Sequence, residues 1–195
     1  YGFKKDDILI GCMQSFFKIY GDFEDMIKKI LENTQSNVYI LFCNSIPFNK
    51  MHLYRLNNKL KHNINRIKWF QNKNMIDWLN LVYICDFMID PHPFGGCNTS
   101  LEAFDYDIPV VCYPSNMING KFTEGFYKVM GIDLCIVQSE QEYYNCVKKL
   151  ILDIDFRNNI KLMIKRNKYK LFEQKEVISE YEDLFVKLID KHYVN

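Results

Sequence analysis

The sequence predicts an α/β fold: a parallel sheet with helices on both faces, followed by a helical carboxyl terminus. Three observations lead there. Short apolar runs alternate with longer amphipathic stretches over residues 8–137. The runs are apolar nearly throughout, as strands buried on both faces are, and do not alternate with polar residues. Beyond Ser139 the pattern is helical almost to the end.

The elements follow in order. Residues 8–13 form the first apolar run, and 22–31 read as an amphipathic helix. Residues 38–43, Val-Tyr-Ile-Leu-Phe-Cys, are β-branched, aromatic or aliphatic and predict a buried strand. Residues 51–60 are polar with helical period, 67–70 are a third strand, 75–82 a short helix and 84–89 a fourth strand. A helix begins over 100–104, a fifth strand covers 109–113, a helix covers 122–130, and 134–137 reads as a short sixth strand.

Composition removes several classes. The 195 residues are 48% apolar and 15% aromatic, which supplies a substantial core and argues against disorder. No linker, repeat or low-complexity tract divides the chain, so residues 1–195 are read as a single domain. Twenty-five basic residues face 24 acidic ones, so there is no bulk attraction for nucleic acid or an anionic membrane. No run approaches the roughly 18 apolar residues of a membrane-spanning helix. The seven cysteines are odd in number, widely spaced and free of C-x-x-C, which suits buried thiols in a reducing compartment. The four histidines offer no ligand pair at helical spacing. A cytoplasmic location is expected. The abrupt start at Tyr1-Gly2-Phe3 raises the expectation that this is a piece of a longer protein.

In open parallel sheets, ligands bind beyond the carboxyl ends of the strands. The densest punctuation falls at such an end: Asp90-Pro91-His92-Pro93-Phe94-Gly95-Gly96-Cys97-Asn98-Thr99-Ser100-Leu101-Glu102. Gly95 and Gly96 let the backbone turn without a Cβ clash. Asn98, Thr99 and Ser100 put small polar groups at a helix start, where free N–H groups and the helix dipole favour an anion. Glu102 adds a carboxylate able to accept from a ribose hydroxyl. Together these fit a diphosphate joined to a sugar. Thr99-x-x-Glu102 is equally a capping box, which would stabilise the helix with no ligand. His92, in a proline-rich turn, reads as structural. Asp105-Tyr106-Asp107 has the D-x-D form of some metal sites but precedes the fifth strand, at the opposite edge of the sheet.

The run from Asp90 to Phe104, then Ile108-Pro-Val-Val-Cys112, then Gly120-Lys-Phe-Thr-Glu-Gly-Phe-Tyr127, resembles the donor-binding half of the protein O-linked N-acetylglucosamine transferases. Spindly-type transferases and the bacterial cytoplasmic N-glucosyltransferases are similar. The resemblance extends from Gln14 to the terminal helices. It implies the Rossmann-like carboxyl-terminal domain of a GT-B fold and inverting, metal-independent transfer of a sugar, N-acetylglucosamine, from a UDP-sugar to a protein Ser/Thr hydroxyl. It also implies an amino-terminal domain of the same parent chain that supplies the acceptor site. A noncatalytic nucleotide-sugar-binding module and a GT-B-fold epimerase are the alternatives.

The resemblance assigns roles position by position. Cys97, Asn98 and Thr99 stand where relatives hold the donor diphosphate, with Cys-Asn-Thr in place of His-Thr-Thr. Glu102 takes the ribose-binding position, usually Asp. Lys18, in Gln14-Ser15-Phe16-Phe17-Lys18, stands where a lysine neutralises the diphosphate, and Gln14 would reach the leaving group or sugar. Without the resemblance Lys18 reads as a solvated charge. Asn72 and Lys73 fall in the loop that meets the base, and Lys121 in a loop where relatives carry Arg.

Overall fold

The computed structural model describes residues 1–19, 21–44, 50–71 and 74–193. Five parallel strands form one sheet in the order β3-β2-β1-β4-β5. They are β1 (Ile8–Cys12), β2 (Val38–Asn44), β3 (Ile67–Gln71), β4 (Phe87–Ile89) and β5 (Val110–Val111). β1 lies at the centre, with Ile8 opposite Val38 on one side and Gly11 opposite Met88 on the other. A Cβ on Gly11 would stand 2.8 Å from Met88 Cγ and 2.9 Å from Cys85 Sγ, so glycine is what lets these two side chains pack over β1.

The helices are α1 (Gly21–Glu32), α2 (Lys50–Leu60), α3 (Met75–Tyr83), α4 (Asn98–Asp105), α5 (Phe122–Met130), α6 (Glu140–Leu152), α7 (Ile154–Asn167) and α8 (Lys175–Tyr193). α1 packs beside α2 and α6, whereas α3 packs beside α4, and α4 beside α7. Right-handed crossovers place these two groups on opposite faces of the sheet. Phe23, Ile27 and Ile30 of α1 and Phe104 of α4 are buried against it. At the rim, the buried Arg66 guanidinium donates to the carbonyl of Val38 at the start of β2 and to that of Leu31, a group that the end of α1 leaves open.

Two sequence expectations shift. The fourth strand starts at Phe87 and not at residue 84, because Ile84 caps α3 and the Asp86 carboxylate accepts the Leu9 amide instead. The expected sixth strand shrinks to one bridge between Cys112 and Ile136. Ile136 N–H bonds back to Asp133, so Leu134 and Cys135 are taken up by a turn and pairing begins only at Ile136. α8 leaves Val177, Tyr181, Leu184, Leu188 and Ile189 exposed. All seven cysteines are free thiols, five of them buried.

Candidate functional site

With β1 at the centre, its crossover leads toward β2, whereas β4 feeds β5 on the other side. The connections therefore diverge beyond β1 and β4, and a crevice opens there. An open cleft of ≈ 440 Å³ lies at these carboxyl ends, lined by Gln14, Ser15 and Lys18 after β1, Asn74 and Trp78 of the α3 start, and Thr99 and Glu102 of α4.

The two walls are joined by a chain of hydrogen bonds. A 3-10 turn over Phe16–Lys18 brings Lys18 back over the cleft. Lys18 Nζ donates to Gln14 Oε1 at 2.7 Å and to the Gly95 carbonyl at 3.0 Å, and it rests 4.3 Å from the Phe94 ring centroid. Gln14 Nε2 donates to Thr99 Oγ1 at 2.5 Å. The Thr99 hydroxyl therefore accepts from the protein and keeps its own proton for a ligand. Desolvation pulls the Lys18 pKa below its ordinary value, opposed by Asp90, Cys97 and Cys12. Gln14 is 3% exposed, so it positions Lys18 and Thr99 more than it reaches outward.

The α4 entrance is built differently from the capping-box alternative. Cys97 is the N-cap and its side chain caps nothing. Its carbonyl accepts the Ser100 and Leu101 amides, while the amides of Asn98 and Thr99 lie in the first turn, whose N–H groups a helix leaves without internal partners. Thr99 is then the second helical residue. Glu102 does not reach back to the cap; it accepts the Trp78 Nε1 proton at 2.7 Å.

Below this turn sits Asp90, 2% exposed. Its Oδ2 accepts from Thr123 Oγ1 at 2.5 Å, and Oδ1 is buried without a hydrogen-bond partner. Ser100 Oγ lies 2.7 Å from Thr123 Oγ1. With Thr123 spending its proton on Asp90, Ser100 is the donor of that pair. Burial raises the Asp90 pKa, opposed by the hydrogen bonds from Thr123 and the Gly96 amide and by the Lys18 charge. The Tyr143 hydroxyl donates to the Asp90 carbonyl at 2.9 Å. Gly96 is wedged above this network: a Cβ there would meet Ser100 Oγ at 2.5 Å, Thr99 Oγ1 at 2.7 Å and Asp90 Oδ1 at 2.8 Å.

The structure thus brings Gln14, Lys18, Thr99 and Glu102 together around the cleft, while Gly95, Gly96, Cys97 and Asn98 form the turn into α4 beside it and do not themselves line it. Ser100 is turned away from the cleft into the Asp90–Thr123 network. Lys121 is exposed at the start of α5, on a loop whose Gly120 packs against the Pro93 carbonyl, and it does not line the cleft. Asn72 and Lys73 lie outside the described residues. His92 stacks on Tyr113 with ring centroids 4.0 Å apart and pairs its Nδ1 with the Tyr113 carbonyl at 3.0 Å, which anchors the turn. Lys168 pairs with both Asp105 and Asp107. Sequence reasoning missed Trp78, Asp90 and Thr123 as site residues. A buried Asp requires donors, but nothing in one sequence says that Thr123, 33 positions away, supplies one.

No protein-family model matches the sequence, and no curated protein is similar to it. Solved structures do share the fold. A variant of the O-GlcNAc transferase of Thermobaculum terrenum superposes with a TM-score of 0.81 at 20% identity, over 94% of this chain and 36% of that one. HepE of Anabaena, in complex with UDP and glucose, gives 0.62 at 15% identity, over 91% of this chain and 49% of that one. A TarM variant of S. aureus, in complex with fondaparinux, alpha-GlcNAc-glycerol and UDP, gives 0.64 at 10%, over 95% and 37%. These likenesses show the fold: a Rossmann-like domain of the kind found in the carboxyl-terminal half of GT-B folds. The chain spans between about a third and a half of the length of these three proteins.

Proposed function

We propose that this chain is the donor-binding domain of an inverting glycosyltransferase that moves N-acetylglucosamine from a UDP-sugar to a protein Ser/Thr hydroxyl. An amino-terminal domain of the same parent chain would supply the acceptor site. The observation that carries the reading is the cleft at the β1/β4 divergence, where Lys18, the Thr99 hydroxyl and a helix start without a side-chain cap face the Glu102 carboxylate. UDP in the HepE and TarM complexes lends support to a uridine nucleotide as ligand.

The chemistry follows from charge. The acceptor oxygen attacks the anomeric carbon, the bond from that carbon to the diphosphate oxygen breaks, and the electron pair leaves with UDP. The acceptor proton is released. Lys18 and the amides at Asn98 and Thr99 offset the charge that develops on the departing diphosphate, and the Thr99 hydroxyl donates to it. Glu102 holds the ribose through its hydroxyls. These groups serve the leaving group without a metal ion. The protein is read as cytoplasmic, with neither nucleic acid nor membrane as a partner; no described helix is long and apolar enough to cross a membrane.

A thermal-shift and calorimetric panel of UDP, GDP and their sugar conjugates tests the binding step. Ligand at about 100 times its Kd adds about 2.7 kcal/mol to stability. For a chain of this size that raises the midpoint by about 5–10 °C. Transfer of labelled sugar to acceptor peptides by the full-length protein tests the enzyme. Binding with no transfer favours a noncatalytic module, a sugar isomer recovered by NMR favours the epimerase, and no response to any nucleotide overturns the proposal.

A further inference from the structure

One cleft contact has no role yet. Trp78 stands on α3 one turn beyond its cap Asn74, and Glu102 stands on α4 one turn beyond Asn98. Both line the cleft, and Trp78 Nε1 donates to Glu102 Oε2 at 2.7 Å. An indole N–H only donates, so Glu102 is held there as an acceptor. Among the described residues Oε1 has no hydrogen-bond partner, and Glu102 is partly exposed where it lines the cleft. A carboxylate with one oxygen tied and the other open accepts from a hydroxyl or an amine and repels a phosphate. Its direction is set before the ligand arrives.

We infer that Trp78 is the positioning residue that turns Glu102 into a selector for ribose hydroxyls, so that the cleft discriminates ribonucleotide from deoxyribonucleotide donors. The inference rests on the sugar-nucleotide reading and adds the residue that sets its ribose selectivity. Without the indole, the glutamate must be ordered by the ligand itself, and part of the hydroxyl's contribution is spent on that ordering. The loss is expected to be about five- to tenfold in affinity for the nucleotide bearing the hydroxyls. The deoxy analogue makes no such contact and should not notice the change.

The test is calorimetric titration of UDP, 2′-deoxy-UDP and 3′-deoxy-UDP into the wild-type chain, Trp78→Phe, Glu102→Ala and the double variant. Trp78→Phe should bind UDP about five- to tenfold more weakly and the more discriminated deoxy analogue unchanged. In the Glu102→Ala background the same substitution should do nothing further to the ratio. Equal weakening for UDP and its deoxy analogues, or an unchanged ratio, would overturn the role of Trp78. A wild-type chain that binds all three nucleotides alike would instead overturn the ribose role of Glu102. Should Trp78→Phe not fold, the wild-type indole N–H resonance is the readout. It should move more on adding UDP than on adding the deoxy analogue, and an equal response counts against the inference.

Discussion

Gly96→Ala is the sharpest perturbation the structure offers. The φ of Gly96 is not in the left-handed region, so the cost is one of space and not of backbone strain. The added Cβ would come within 2.5–2.8 Å of three oxygens, two of them hydrogen-bonded and the third on the carboxyl whose other oxygen is hydrogen-bonded. Ser100 Oγ is bonded to Thr123, Thr99 Oγ1 to Gln14, and Asp90 Oδ1 belongs to the carboxyl that Thr123 holds. None can swing aside without losing a buried hydrogen bond. Overpacking costs about 1–3 kcal/mol, and a disturbed buried hydrogen bond adds about 1 kcal/mol. Gly96→Ala should therefore destabilise the chain by about 2–4 kcal/mol in urea unfolding. Gly95→Ala is the internal control, because its Cβ would meet only Asp90, at 3.1 Å. It should cost less than about 1 kcal/mol. Adding Ser100→Ala to Gly96→Ala removes the nearest clash and should return part of the stability. UDP affinity should fall in Gly96→Ala with uridine affinity unaffected, since the displaced turn carries the phosphate amides. A Gly96→Ala chain as stable as Gly95→Ala, with unaltered UDP affinity, would refute the reasoning.

Lys18→Ala should slow transfer in the full-length protein by the equivalent of about 3 kcal/mol in the barrier, the usual loss when one preorganised donor to a developing anion is removed. Its effect on unfolding should stay within about 1 kcal/mol because the side chain is half exposed; a larger stability loss than activity loss would contradict the role. Asp90 makes a pH prediction. Its folded-state pKa is raised by burial, so the folded chain holds that proton more tightly than the unfolded chain does. Stability from this group is complete below the ordinary value of 3.8 and is lost as pH rises through the raised folded value. Asp90→Asn should flatten that decline, measured by urea unfolding across a pH series; an unchanged slope would show that Asp90 is not its source.

The fold was legible because burial on both faces writes itself as unbroken apolar runs. Val-Tyr-Ile-Leu-Phe-Cys of β2 is read correctly to within one residue. Ile84-Cys85-Asp86 carries the same signal but is spent on the end of α3, since a helix cap and a strand start look alike in three residues. Leu134 and Cys135 read as strand because they are apolar, yet the turn back to Asp133 takes them up and pairing begins only at Ile136. At the site, the glycines, Thr99, Lys18 and Glu102 were visible from local chemistry and from resemblance. Ser100 was misjudged because a hydroxyl at a helix start does not reveal which way it turns, and here Thr123 and Asp90 claim it. Trp78 was invisible for a related reason. Its contact with Glu102 joins two helices 24 positions apart, and only the parallel sheet brings their ends together.

The most direct measurement is a backbone amide NMR titration of the chain with UDP. If the crevice beyond β1 and β4 takes the diphosphate, the largest saturable shifts fall on Gly96, Asn98 and Thr99, accompanied by the Trp78 indole, and uridine alone leaves the three backbone amides still. Shifts confined to other strand ends or to the surface of α8, or none at millimolar UDP, would contradict it.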